Sequence, residues 1–368
     1  MSVPVADIVD AFRDQAQACR ALDSPWTARV LELLILDLED GGPCAALLAD
    51  WKTPPRESAL ALRVAGAINA LVLAGRAPRL APAHPLSANG GAPPDDAVLL
   101  AALRITVQME RDYIAAFIAH AVQTNEVQRS AILTPGFLTL VARNDLPLSL
   151  LEIGASGGLN QFWDRYAYRF GEQRWGPDDA ALVLTPGWSG PACPMPDRVE
   201  VLERRAVDIH PLDFRDDEVV QRGMAFIWPD QPQRLDNFRA AVDVLRASTQ
   251  HVEQGDAGAW LTEALSAPLS RATTVIFHSV MWQYLSAESR AAVTAAIHAA
   301  GVAATPRAPL AWLRFEPRSD LVRFELTLEV FTGAGPAVRE RLAWAHPHGA
   351  SIRWLAEDDP ERWEPAGV

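Results

Sequence analysis

Cysteine is scarce in this chain: Cys19, Cys44 and Cys193 are odd in number, far apart and form no C-x-x-C pair. That excludes a disulfide framework and a cysteine zinc site, and it fits a reducing, cytoplasmic compartment. An excess of positive charge is also missing. Against 33 Lys and Arg stand 46 Asp and Glu, a net charge of −13, which repels phosphate backbones and anionic lipid unless a local basic patch overrides it. The arginines that dominate the basic set are scattered, as in Arg204-Arg205, so neither nucleic acid nor a membrane is expected as a partner. Nor is a leader expected, since Asp7 and Asp10 stand where a signal peptide carries positive charge and an apolar core. The longest apolar stretch, near residues 31–38, is interrupted by Glu32 and Asp37 and is too short to span a bilayer.

Apolar surface, by contrast, is abundant. Hydrophobic residues make up 49% of the 368, enough for the core of one large or two medium domains. Residues 5–143 read as helical, with apolar positions at Val5, Ile8, Phe12, Ala16 and Cys19, and again at Val98, Ala102, Ile105, Met109 and Tyr113. Residues 77–95, with five prolines and Asn89-Gly90-Gly91, read as a loop between helical groups. After residue 146 short apolar strands at 148–153, 199–209, 250–253, 273–277 and 310–315 alternate with helical stretches, which implies parallel strands joined by helical crossovers. The segments 322–331 and 339–345, around a turn at Gly333, read as an antiparallel hairpin. The expected fold is α/β: a helical N-terminal cap domain over 1–145, then over 146–368 a sheet that resembles the Rossmann-like class I methyltransferase sheet.

The stretch "LLEIGASGGLN", residues 150–160, carries the chemistry. Gly154-Ala155-Ser156-Gly157-Gly158 matches the G-x-S-x-G of a hydrolase nucleophile elbow, with Ser156 as nucleophile and Asp256 and His278 or His346 as partners. An elbow needs strands before it and an oxyanion loop, and upstream there is only helical signal and no HGGG-type stretch. The same residues also spell a glycine-rich turn that lets a ligand approach the main chain, followed by a helix beginning near Gly158 with free N–H groups; a tight turn with no ligand is the remaining alternative. Glu152, at the tip of the first strand, is placed to hold a cationic amine beside the turn. Asp208 closes the second strand as a ribose acceptor or a turn residue. Asp256, with Ala257 after it, follows the third strand as an acceptor for an adenine amino group or as a helix N-cap. His278 ends the fourth, as a general base or a structural histidine.

Four segments, "QTNEVQRSAIL" at Gln123, "LLEIGASGGLNQFWDRYAYRFG" at Leu150, "VEQGDAGAW" at Val252 and "FHSVMWQYL" at Phe277, together resemble the bacterial proteins grouped as domain of unknown function family 2332. The resemblance covers nearly the whole chain. Members resemble class I methyltransferases that use S-adenosylmethionine, which implies that cofactor here, held by Glu152, Gly154, Ala155, Ser156, Gly158, Asp208, Asp256 and Ala257. Glu203 rivals Asp208, because about fifty residues separate Gly158 from Asp208, where dinucleotide folds have about 20. The extra length includes "DRYAYRFG", whose Tyr166, Tyr168 and Phe170 alternate as in an inserted, packed hairpin. Asn125 and Gln128 suit a capping-box helix start; alternatively Gln123, Asn125, Glu126 and Arg129 face substrate under the N-terminal cap. Trp282, Gln283 and Tyr284 line an acceptor pocket or belong to the core. The acceptor is a small molecule or a protein. A non-catalytic adenosyl-ligand sensor stays open as well, since "FHSVMWQ" is not the Asn/Asp-Pro-Pro-Tyr signature of amino-methylating enzymes.

Overall fold

The computed structural model describes residues 2–87, 94–266, 270–318 and 323–363, which form two compact units, Met1–Thr124 with Asp216–Asp236, and Asn125–Arg215 with Asn237–Val368. The expected loop tip Asn89-Gly90-Gly91 lies outside the described residues. Among those residues no helix is long and apolar enough to cross a membrane.

The first unit is helical. It contains α1 (Val5–Ala21), α2 (Pro25–Glu39), α3 (Pro43–Leu48), α4 (Leu60–Leu73), α5 (Asp96–Met109) and α6 (Arg111–Ile118). Their core is built from such residues as Ile8, Phe12, Leu31, Leu34, Val64, Leu103 and Ile114. The expected face of α1 is buried except for Val5. For α5 the expected face is displaced by one position: Val98 and Met109 are 60% and 77% exposed, and Leu99, Leu103, Thr106 and Val107 are buried instead. Apolar residues lie on both phases of this helix, so periodicity allows either, and packing on α2 and α3 selects the Leu99 phase. The helix also stops at Met109, so Tyr113 belongs to α6.

The second unit opens with α7 (Ser130–Asn144) and is organised by a nine-stranded sheet. In chain order its elements are β1 (Leu148–Ile153), β2 (Ala167–Phe170), β3 (Gln173–Trp175), β4 (Val183–Leu184), β5 (Gly187–Ser189) and β6 (Val201–Asp208). After β6 the chain enters the first unit as α8 (Asp217–Ala225) and returns in α9 (Pro232–Arg246), whose residues from Asn237 onward count with the second unit. There follow β7 (Glu253–Gln254), α10 (Ala257–Ala264), β8 (Thr273–Ser279), α11 (Ala287–Ala303), β9 (Leu310–Pro317), β10 (Phe324–Phe331), β11 (Val338–Ala345), β12 (Ser351–Trp354) and α12 (Pro360–Trp363).

The sheet order is β5-β12-β11-β10-β9-β8-β1-β6-β7. The run from β7 through β9 is parallel, and β9, β10, β11 and β12 are mutually antiparallel neighbours. The fold is therefore mixed α/β with a large, mostly parallel sheet and N-terminal helices. Helical elements cover both faces. Leu151, Ile153, Ile276 and Trp312 cluster with Leu261 of α10 and Val293 and Ile297 of α11. On the opposite face Phe137 of α7 meets Phe277 edge-on at 5.2 Å, and Gly136 admits the Leu313 side chain. The inserted hairpin is present as β2 and β3, joined by β4 in a three-stranded sheet. Tyr166, Tyr168 and Phe170 are buried there, and Trp163 stacks between Phe137 and Trp175 at 4.4 and 5.5 Å.

Candidate ligand-binding site

Strand order reverses at β1, which has β6 on one side and β8 on the other. The crevice outside the carboxyl ends of such strands is where open α/β sheets receive ligands. The glycine turn sits at this point. Gly154 and Gly158 have φ of +64° and +77°, and Ser156 adopts φ +55°, a conformation that costs a residue with a Cβ. The turn is compact because side chains occupy the space its glycines leave. A Cβ on Gly154 would lie 2.7–2.9 Å from Met281, one on Gly157 2.0 Å from the Phe214 ring, and one on Gly158 2.9 Å from Val252. The chain itself, rather than open space, meets the main chain here.

The helix that follows is a correction to expectation. It is a seven-residue 3₁₀ helix, Leu159–Arg165, and its first N–H groups are in use: Leu159 N–H donates to Asn125 Oδ1 at 2.9 Å and Gly158 N–H to Ala155 O at 2.8 Å. Asn125 thus serves the glycine turn. The cap of its own 3₁₀ helix, Val127–Arg129, is Glu126, whose Oε1 accepts from Gln128 N–H at 3.1 Å. Arg129 donates to Pro347 O at 2.9 Å, while Gln123 belongs to the first unit.

Two carboxylates flank the turn. Asp208 accepts Ser156 N–H on Oδ2 at 2.8 Å and His210 N–H on Oδ1 at 2.9 Å, tying the end of β6 to the turn. Its rival Glu203 accepts from Ser149 Oγ at 2.6 Å, near the start of β1 and away from the turn. Glu152 is 3% exposed. Its Oε2 has no hydrogen-bond partner, so burial, with the nearby charge of Asp208, pushes its carboxyl well above the usual range, opposed by the Gln161 amide. Four residues on, the Ser156 Oγ is also buried without a partner.

The remaining candidates take structural roles in this arrangement. Asp256 caps α10, its Oδ1 accepting from Gly258 and Ala259 N–H at 2.9 and 3.1 Å, with Ala257 buried at the first helical position. His278 is fully buried, and both ring nitrogens are engaged. Nε2 accepts from Trp312 Nε1–H at 3.1 Å, so Nδ1 carries the proton and donates it to Glu316 Oε1 at 2.6 Å. As placed, the imidazole has no lone pair for an acceptor's proton. Trp282 stacks on it at 5.3 Å, while Gln283 and Tyr284 face solvent. Nor is a Ser-His-Asp triad assembled, because the Ser156 hydroxyl has no partner, His278 is committed elsewhere and Asp256 is a cap.

Met281, Phe214, Gln161 and Glu316 complete the site and were not legible as such: Gln161 and Met281 lie inside the family segments, but nothing local marks any of the four as part of it. Beside the turn lies a cavity of about 330 Å³ whose walls include Gly157, Gly158, Gln161, Phe162, Phe214 and His251, at the lower end of ligand-pocket sizes. Among the described residues no group of three or more His, Cys, Asp or Glu is placed to hold a metal ion.

Fold and site together define a mixed α/β protein with a candidate ligand site at a strand switch point. Residues 9–354 match the family described as uncharacterised protein conserved in bacteria, DUF2332, and the chain belongs to that family. Comparison with curated proteins and with solved structures found no match.

Proposed function

We propose that the second unit binds S-adenosylmethionine at the carboxyl end of β1 and serves methyl transfer to a small-molecule or protein acceptor. The observation that carries this reading is the Glu152 carboxyl, buried at the tip of the central strand with Oε2 unpartnered. A buried, unpaired carboxyl oxygen is costly, and a ligand ammonium group is the partner that removes the cost. The Ser156 hydroxyl, equally without a partner, offers a second contact, and the cavity beside Gly157 and Gly158 offers room. The run β7-β6-β1-β8-β9 with antiparallel strands added beyond β9 also supports a Rossmann-like, methyltransferase-type sheet.

When bound, the cofactor supplies an electrophilic methyl group on sulfur for an in-line displacement. The chain's own part is to hold and align: Glu152 takes the cation, and Asp208 keeps the turn closed through the Ser156 N–H. With His278 committed to Glu316 and Trp312, this reading supplies no general base, which favours an acceptor that is already a nucleophile at neutral pH. The same commitment is the observation in favour of a second reading, an adenosyl-ligand sensor without turnover. A cytoplasmic setting suits three buried, unpaired cysteines, whose thiols burial pushes upward, Cys19 to about 11 and Cys193 to about 12.

Calorimetry with S-adenosylmethionine and its demethylated product at millimolar concentration tests the proposal. Binding is expected in the wild type and at least about tenfold weaker in Glu152→Gln, the loss of one charge-assisted contact. No binding by the wild type ends the proposal. Binding without turnover across a broad acceptor screen selects the sensor.

A further inference from the structure

The space that Gly154 leaves open is filled from the end of β8. Met281 places Cβ, Cγ and Cε at 2.9, 2.8 and 2.7 Å from the point a Gly154 Cβ would take, so its side chain lies against the Gly154 main chain. We infer that Met281 is a displaceable plug, its arm from Cγ to Cε closing the glycine turn and swinging out when a ligand reaches the Gly154 backbone. The inference rests on the reading of this turn as a ligand site.

Three observations mark Met281 as the side chain that moves. Phe214, which fills the space at Gly157, is 1% exposed and locked edge-on against Phe238 at 5.1 Å, whereas Met281 is only partly buried and its unbranched thioether rotates at little cost. The residue before it is strained: Val280 has φ +54°, unfavourable for a β-branched residue and the kind of strain found at switch segments. The segment is also held from one carboxylate, since Glu316 accepts Met281 N–H at 3.1 Å and Trp282 N–H at 3.3 Å, besides His278 Nδ1. A strained hinge at Val280 and an anchor at Glu316 thus bracket the plug.

A plug that must leave taxes ligand affinity by the fraction of open sites. Met281→Ala is therefore expected to bind the demethylated cofactor about tenfold tighter than wild type, mainly through faster association. A variant that binds equally well or more weakly, while the wild type binds, overturns the plug and leaves the cofactor reading standing. Failure of both proteins to bind overturns both. A second variant reports motion directly. In Met281→Cys, against the buried native cysteines, saturating ligand is expected to accelerate alkylation of the new thiol several-fold. Protection by the ligand, or an unchanged rate, means that the side chain stays packed at the turn and the inference is wrong.

Discussion

At the scale of single residues, Glu152 sets the behaviour of the site. Its folded-state carboxyl is raised above the ordinary value, so the protonated acid is the form the fold favours. Its contribution to stability is full below the unfolded value and is lost as pH rises through the raised one. Glu152→Gln, which fixes the neutral form, is expected to melt no lower than wild type at neutral pH. For the proposed ligand the expected sign is opposite: an ammonium partner needs the carboxylate, so affinity is expected to fall with falling pH and binding to release a proton, seen as a buffer-dependent enthalpy. His278→Ala, by contrast, leaves Glu316 and Trp312 unpaired in the core and is expected to lower stability by about 2–4 kcal/mol in chemical denaturation. The sequence showed that His278 ends a strand and not that Trp312 and Glu316, two and six residues past the start of β9, would consume its nitrogens. Glu152 was legible because position at a strand tip follows from local pattern, whereas an unpartnered oxygen depends on every neighbour brought there from elsewhere.

At the scale of elements, the glycine turn is held by contacts from distant segments. Gly157→Ala would drive a methyl group into Phe214 and is expected to cost about 1–3 kcal/mol by overpacking. Gly335→Ala, where a Cβ meets nothing within 4 Å, is its neutral control, and thermal denaturation compares the two. Asn125→Ala removes the cap on Leu159 and is expected to cost about 1 kcal/mol. The bounds of β1 coincide with the expected 148–153 because an apolar run between Pro147 and Gly154 has a marked start and stop. The phase of α5 did not, because Val98 and Leu99 are both apolar and only packing separates them. β5 and β12 escaped notice for a related reason: at three and four residues they carry too few side chains for alternation to register, and they exist by pairing with each other and with β11.

At the scale of the whole molecule, the crossover after β6 sends Asp216–Asp236 into the helical unit. Asn69 receives it, donating to Ala225 O at 2.9 Å and Ile227 O at 3.0 Å, with His84 Nε2 on its Oδ1 at 3.0 Å. Burial lowers His84 to about 4, below its unfolded value near 6.5, so the unfolded chain binds the extra proton. Stability is therefore expected to fall by up to about 3 kcal/mol between pH 6.5 and 4, a dependence that His84→Gln flattens in denaturation curves of the helical unit. By itself the sequence determined the helical first part, the alternating strands, the place of the glycine turn and the acids beside it, because each is written in local periodicity and in residues adjacent along the chain. Only tertiary structure decided which acid has a free oxygen, which histidine is spent, which side chain fills the turn and which unit receives the crossover. Those outcomes rest on contacts between residues tens of positions apart, such as Gly154 with Met281, and such contacts leave no trace in local pattern.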